Sequence, residues 1–231
     1  MANPRLMRRF AKWHIWLGWL VAIPLLLWTA SGLLMVARPI EEVRGADLRI
    51  EAAEQALPVG FAPALPFLAP GQPPVASYTL AMRAGQPVAR IKYADGSAAL
   101  FDATSGAQLS PLSAAAAREV VLRGIVGGKN IAEVRAFAAE AAPNDFRKPI
   151  PSWQVTLKDG THVYVGRDSG EIEALRTPFW RLYDFMWGLH IMDPGGREDF
   201  HHPLIIGFAA LALISAILGT ALLFRRRKAA T

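Results

Sequence analysis

Residues 13–37, WHIWLGWLVAIPLLLWTASGLLMVA, contain no Asp, Glu, Lys or Arg. Residues 200–224, FHHPLIIGFAALALISAILGTALLF, share that property near the other end of the chain. Each run is 25 residues long (13–37 and 200–224). At about 1.5 Å of rise per residue such a helix reaches about 37 Å, enough to cross a hydrocarbon core of about 30 Å with some tilt. Both runs are therefore read as membrane spans. Pro24 should kink the first, which membrane helices tolerate. Pro203 falls in the first turn of the second, where a missing N–H costs little. A cleaved signal peptide is the competing reading of the first run. Its apolar stretch exceeds the ~7–15 residues of a signal h-region, and its exit, Met35-Val36-Ala37-Arg38-Pro39, is a poor cleavage site.

Charge orients the spans. The chain of 231 residues has a formal net charge of +6, with 25 basic and 19 acidic residues. Eight of the basic residues flank the spans: Arg5, Arg8, Arg9 and Lys12 before the first, Arg225, Arg226, Arg227 and Lys228 after the second. Between them 17 basic residues face 19 acidic ones. The excess is terminal, which argues against a nucleic-acid-binding core. Basic residues stay on the cytoplasmic side, so both termini should be cytoplasmic and residues 38–199 should lie across the membrane. In a Gram-negative cell that places 38–199 in the periplasm and the chain in the inner membrane. The absence of cysteine excludes disulfides, thiolate metal sites, iron–sulfur clusters and covalently attached c-type haem.

The segment between the spans carries an internal repeat. Residues 87–106, PVARIKYADGSAALFDATSG, align with 151–170, PSWQVTLKDGTHVYVGRDSG, so that Asp95-Gly96 matches Asp159-Gly160 and Ser105-Gly106 matches Ser169-Gly170. Asp-Gly between alternating apolar residues signals a two-residue hairpin turn. Ser-Gly should close a second turn before a short strand, Ala107–Leu109 in one copy and Glu171–Leu175 in the other. Between the copies, Ser113–Arg123 and Asn130–Ala141 are rich in Ala, Glu and Arg and are expected as helices packed on one face. Ala52–Pro74 is Pro- and Ala-rich and is expected to hold little regular structure. The expected fold is a membrane protein whose two transmembrane helices flank a small external α+β domain of two repeated β-hairpin halves. Its parts are a cytoplasmic N-terminus (1–12), a first span (13–37), a linker (38–74), the α+β domain (75–175), an amphipathic interfacial segment (176–199), a second span (200–224) and a basic tail (225–231).

Four stretches carry a family resemblance: RRFAKWHIWLGW (8–19), TASGLL (29–34), SWQVTLKDGTHVYVGRDSGEI (152–172) and WGLHIMDPGGREDFHHPLIIG (187–207). Together the chain resembles PepSY-domain membrane proteins with associated transmembrane helices. Larger relatives in that group include siderophore-iron reductases that hold b-type haem on transmembrane histidines; this chain has two spans where they have four or more. The resemblance implies haem b and transmembrane electron transfer, extending to ferric or siderophore iron. PepSY domains also resemble protease propeptides, which implies a second reading: a non-catalytic periplasmic binding or peptidase-inhibitory module anchored by two helices.

Four of the five histidines lie at span boundaries. His14 shares a helical stripe with Gly18, Ala22, Thr29 and Gly32, so it should face another helix. His190 ends an amphipathic segment, Thr177–Met192, whose Phe179, Trp180, Tyr183 and Trp187 suit a membrane interface. His201 and His202 open the second span and point about 100° apart, so they cannot both ligate one metal on the same face. His202 lies on a stripe with Ala209 and Ala216. His14, His190, His201 and His202 are thus the candidate cofactor ligands, with His190 and His202 (or His201) as an outer pair. A metal cluster of Glu198, Asp199, His201 and His202 is a weaker alternative that requires the helix to begin early. His162 is placed on a sheet surface without a role. No catalytic residue is assigned. Besides the bilayer, the expected partner is a second copy or another membrane subunit, through the small-residue face Ala209, Ala212, Ala216 and Gly219. A symmetry-related His14 would then oppose His14. The electron donor and acceptor are not legible.

Overall fold

The 64-residue offset of the sequence repeat recurs in the backbone hydrogen bonds. In a computed structural model the chain is described over residues 4–51, 53, 55–66, 68 and 70–229, and the side chains of 225–229 lie outside that description. Two compact units emerge, residues 40–180 and the terminal segments 1–39 with 181–231.

In unit 40–180 the sheets are antiparallel. The first has the order β1 (Val75–Arg83), β2 (Gln86–Tyr93), β3 (Ala98–Asp102), and the second the order β4 (Ile131–Phe137), β5 (Ser152–Leu157), β6 (His162–Gly166), β7 (Ile172–Arg176). The hairpin turns match atom for atom: Tyr93 N–H donates to Ser97 O at 2.9 Å, and Leu157 N–H to Thr161 O at 2.8 Å. Asp95 Oδ1 accepts from Ser97 N–H at 2.9 Å, as Asp159 Oδ1 does from Thr161 N–H at 2.8 Å. The closing bonds match as well: Ala103 N–H to Pro87 O and Arg167 N–H to Pro151 O are both 3.0 Å. Aspartate in such turns bonds its own backbone two residues on, which is why Asp-Gly recurs there.

The equivalent faces, however, are used differently. Val163 and Val165 of β6 join a core with α3 (Ala114–Gly124), while their equivalents Ala99 and Phe101 of β3 face a separate cluster covered by Phe61. It is Val88 and Leu100, on the other face of the first sheet, that enter the core shared with α3. A third cluster, Phe146, Tyr164 and Ala174, closes the outer face of the second sheet under the β4–β5 connection. Across the sheets, the Arg83 guanidinium donates to the Gly170 carbonyl and Arg90 pairs with Glu171. The expected linker packs onto this unit: Val43 is buried, and Ala64 N–H donates to Ala103 O at 2.8 Å. Apart from the short helix α2 (Ile40–Val43) and a 3-10 turn at Ala46–Leu48, its described residues are irregular, and 52, 54, 67 and 69 lie outside the described set.

Helix α3 begins where its sequence says it should. Ser113 Oγ accepts from Ala116 N–H at 3.2 Å, an N-cap, and Glu119 pairs with Arg123 one turn on at 2.5 Å. The second expected helix, Asn130–Ala141, is a correction. It forms β4 and a single 3-10 turn, Ala139–Ala141. Ile131, Val134 and Phe137 recur every three residues and imitate a helical stripe. In the strand an irregularity in pairing with β5 between Ile131 and Glu133 puts Ile131 and Val134 on the core side, whereas Phe137, three residues on in regular pairing, falls on the other face. Pairing with the edge of β5 overrides the helix propensity of Ala, Glu and Arg. One helix rather than two packs on the second sheet. The short strand expected at Ala107–Leu109 is also reduced, to a single bridge between Phe101 and Gln108.

In the other unit, α1 (Pro4–Met35) runs uninterrupted through Pro24, and α5 (Pro203–Ala229) starts on its proline. Both are long and apolar enough to cross a membrane. Only 11% and 6% of their apolar windows are buried, whereas the core helix of a soluble protein would be mostly covered. Helix α4 (Pro178–His190) is capped by Thr177, whose Oγ1 accepts from Trp180 N–H at 2.9 Å.

The turn at Gly96 has φ +88° and nothing within 4 Å of where a Cβ would stand, so substitution there carries backbone cost alone. Gly96→Ala should lower unfolding free energy by about 1–2 kcal/mol, read from chemical unfolding of the detergent-solubilised chain.

Candidate functional site

An imidazole inside an apolar helix needs a polar partner, because burying it unpaired costs about 1–3 kcal/mol or more. His14 of α1 finds one on α5. Its Nδ1 lies 2.9 Å from the Ser215 carbonyl and 3.3 Å from Ser215 Oγ. Gly219, one turn further, makes room: a Cβ there would stand 2.8 Å from His14 Cε1. The contact sets the amino-terminal part of α1 beside the carboxy-terminal part of α5, so the helices run antiparallel.

His190, at the end of α4, does the same against α1. Its Nδ1 is 3.1 Å from Ser31 Oγ and 3.2 Å from the Trp28 carbonyl. The imidazole stacks on the Trp28 indole with ring centroids 4.9 Å apart and planes 13° apart. Gly32 again supplies the space, its virtual Cβ lying 3.2 Å from His190 Cε1. The Ser31 hydroxyl gives its own hydrogen to Trp28 O at 2.9 Å, so toward His190 it acts as an acceptor. Carbonyls also only accept. Both histidines therefore present an Nδ1–H to their acceptors. An imidazole oriented through one nitrogen by a carbonyl shares that feature with metal-ligating histidines; the Nε2 of His14 faces α5, 3.2 Å from where a Gly219 Cβ would stand. Ser31 lies 17 residues beyond His14, or about 26 Å along the helix.

His201 and His202 precede α5 rather than forming its first turn. Leu204 N–H points to His202 Nδ1 at 3.4 Å, and His201 is exposed with its N–H on Asp199 Oδ1 at 2.8 Å. Among the described residues no hydrogen bond or ring contact joins either of them to His190. Residues 198–202 are not helical, so Glu198 and His202 do not acquire the one-turn spacing that the metal reading required. No group of three His, Cys, Asp or Glu side chains converges among the described residues.

The α4–α5 connection is hydrogen-bonded along its length. Buried Asp184 pairs with Arg197 at 2.5 Å, and Trp187 Nε1–H donates to Arg197 O at 3.1 Å. The Asp193 carboxylate accepts from the backbone N–H of Gly196, Glu198 and Asp199 at 3.0, 3.1 and 3.2 Å. Those bonds hold its carboxyl below the usual carboxylate range.

Of the stripe expected around His14, Gly18 and Ala22 are half-buried, while Thr29 is exposed and bonds its own helix at Leu25 O, 2.8 Å away. The small-residue face of α5 divides. Gly219 and Ala212 are half-buried, and Ala209 and Ala216 are exposed.

His162 has a role the sequence did not disclose. Its Nδ1 is 2.9 Å from Asp145 Oδ2, and the Tyr164 hydroxyl donates to Asp145 Oδ1 at 2.6 Å. Gln154 Nε2 completes the network at 2.5 Å from Tyr164 Oη. Burial, then the hydrogen bond to Asp145, pushes the Tyr164 phenol above its ordinary value. Two residues apart on β6, His162 and Tyr164 were legible as neighbours on one face. Their shared partner was not, because Asp145 arrives through the connection after β4. The network pins that connection to the second sheet.

No family model, curated protein or solved structure matches the chain.

Gly219→Ala should displace the His14 ring and cost about 1–3 kcal/mol by overpacking. Gly18→Ala, with nothing within 4 Å of its virtual Cβ, should be neutral or slightly stabilising. Thermal unfolding of both variants in detergent checks this. Asp193 titrates lower when folded than when unfolded. Its contribution is therefore complete above the unfolded carboxylate range near pH ~4 and is lost as pH falls through the depressed folded value. Amide exchange of Glu198 and Asp199, normalised for intrinsic rate, should speed up in that acid window and should already be fast at neutral pH in Asp193→Ala.

Proposed function

We propose that the chain is a PepSY-type protein of the bacterial inner membrane, with both termini cytoplasmic and residues 38–199 periplasmic, that binds b-type haem and carries electrons across or along the membrane. The observation that carries this reading is the pair of Nδ1-anchored imidazoles, His14 and His190, at opposite ends of the α1–α5 pair, whose Nε2 atoms have no hydrogen-bond partner among the described residues. The outward-facing apolar surface of both helices supports insertion, since only 11% and 6% of their apolar windows are covered. The basic flanks support the orientation.

The residues fit a histidine-ligated haem in donor type and level, with one anchored imidazole at each end. His190 holds the outer position, with Trp28 stacked against it as an aromatic wall. His202 or His201, or a second copy's His190, is its partner ligand in this reading. His14 holds the inner position and pairs with the His14 of a second copy. Haem there supplies reversible one-electron chemistry at iron. The protein's own part is to orient each imidazole and wall the site with apolar side chains. Exposed Ala209 and Ala216, seven residues apart on one stripe of α5, are the face through which a second copy packs. Ferric or siderophore iron is the proposed electron acceptor.

The second reading, a periplasmic binding module without haem, is favoured by β1. This nine-residue edge strand has its first five residues exposed, so its unpaired backbone offers a template for an added strand.

Absorption spectra of the chain, expressed with ample haem and purified in mild detergent, decide between the two. A Soret band that shifts on dithionite reduction is expected, with roughly half of it lost in His190→Ala and in His14→Ala if each end holds one haem. A colourless preparation overturns the haem reading in favour of the module. Replacing Ala209 and Ala216 together with Leu should lower the mass seen by light scattering to that of one chain.

A further inference from the structure

Among the described residues, two cations of the amino-terminal turns of α1, Arg9 and Lys12, have no acidic partner. The unit formed by residues 1–39 and 181–231 carries acids only at Asp184, Asp193, Glu198 and Asp199; none lies in α1 or α5. Arg9 and Lys12 are exposed and form no hydrogen bond or ion pair among the described residues. Beside them opens a groove of about 750 Å³ lined by Arg9, Lys12, Trp13, Trp16, Leu17 and Leu20.

These positions are offset by three, four, seven, eight and eleven residues from Arg9, so they form one stripe of the helix about 16 Å long. The stripe is graded. Two cations come first, two indoles follow, and two leucines lie deepest. An anionic phospholipid has the same order of groups: phosphate, the ester-level interface that indoles favour, then hydrocarbon. Inorganic phosphate would answer the cations and leave Trp16, Leu17 and Leu20 uncovered. A zwitterionic lipid carries its own cation beside the phosphate and answers Arg9 and Lys12 poorly. Basic pockets at the cytoplasmic ends of membrane helices are suited to anionic headgroups for this reason.

We propose that this groove is a binding site for one anionic glycerophospholipid, its phosphate held by Arg9 and Lys12 and its acyl chain laid along Trp16, Leu17 and Leu20. The site rests on the membrane-inserted reading above, and is independent of haem. His14 lies within a turn of Trp13 and Leu17 on the same helix, so the lipid would also flank the anchored imidazole.

Native mass spectrometry of the full-length chain in mild detergent tests the site, with phosphatidylglycerol, phosphatidylcholine or inorganic phosphate added. One phosphatidylglycerol should be retained, about tenfold or more tighter than phosphatidylcholine, and equimolar phosphate should not displace it. Arg9→Gln combined with Lys12→Gln should weaken it about tenfold or more. Arg8→Gln removes an exposed cation outside the groove and should change affinity less than about twofold. Thermal unfolding of each variant confirms that the helix pair is intact, and if the double variant fails to fold, Leu20→Gln serves in its place and should weaken retention. Equal affinity for both lipids, displacement by phosphate, or equal loss in Arg8→Gln overturns the site. Alkaline carbonate extraction separates the underlying reading: a chain released from membranes defeats insertion itself, whereas a retained chain without lipid preference defeats only the groove.

Discussion

A ring nitrogen placed in an apolar helix must be hydrogen-bonded by the neighbour it packs against, and in this chain that requirement decides how the long helices meet. His14 reaches Ser215 across Gly219, and His190 reaches Ser31 and Trp28 across Gly32. Each contact needs a glycine to admit the ring and an acceptor close by to receive its N–H. Hydrogen bonds between membrane helices are worth only about 0.6 kcal/mol on average and at most about 1.7. They therefore select register rather than supply the attraction, which comes from close packing along the face that buries Val21, Ser31 and Ser215. Sliding α5 by one residue would rotate Ser215 and Gly219 about 100° away from His14 and leave an imidazole unpaired.

The unit spanning residues 40–180 solves a different problem, covering both faces of two short sheets with little helix. One helix, α3, serves the shared core. The remaining faces are closed by irregular chain: Phe61 over Ala99 and Phe101, and the β4–β5 connection over Tyr164 and Ala174. Irregular chain brings unpaired polar groups with it, so it must be anchored. The Asp145 network and the bond from Ala64 N–H to Ala103 O do that work on the two sheets. Arg83 and Arg90, tied to Gly170 and Glu171, bridge from one repeat to the other at the turn that closes the second copy.

What was readable in advance follows from the range of each interaction. The two long apolar helices, the Asp-Gly and Ser-Gly turns and the helix near Ser113–Arg123 are decided within a few residues, and the chain states them openly. Asn130–Ala141, expected as a helix for its Ala, Glu and Arg, is a strand because that choice is made by β5, more than a dozen residues away. The inward-facing histidine at residue 14 was legible from its small-residue stripe, yet the identity of its partner was not. Ser215 and Gly219 lie some two hundred residues further on, and nothing local to His14 names them. Gly219 was expected to belong to a contact with a second copy. In the fold it is taken up by His14, which leaves Ala209 and Ala216 as the exposed remainder.

The Nδ1 contacts carry the functional argument one step further. An Nδ1–H donated to the neighbouring helix uses the nitrogen nearer the backbone and leaves Nε2 with no hydrogen-bond partner among the described residues. In hydrocarbon such a nitrogen is uncomfortable unless something outside the helix pair meets it. At the outer end the α4–α5 connection is hydrogen-bonded through Asp193 and the Asp184–Arg197 pair, just ahead of His201 and His202. At the inner end α1 and α5 supply no second imidazole: His14 is the single histidine of α1, and α5 has none. A haem at that level that needs two imidazoles would, on the proposed reading, have to draw the second from another chain. On the proposed reading, then, the helix pair is half of a site, and assembly is a condition of its chemistry rather than an addition to it.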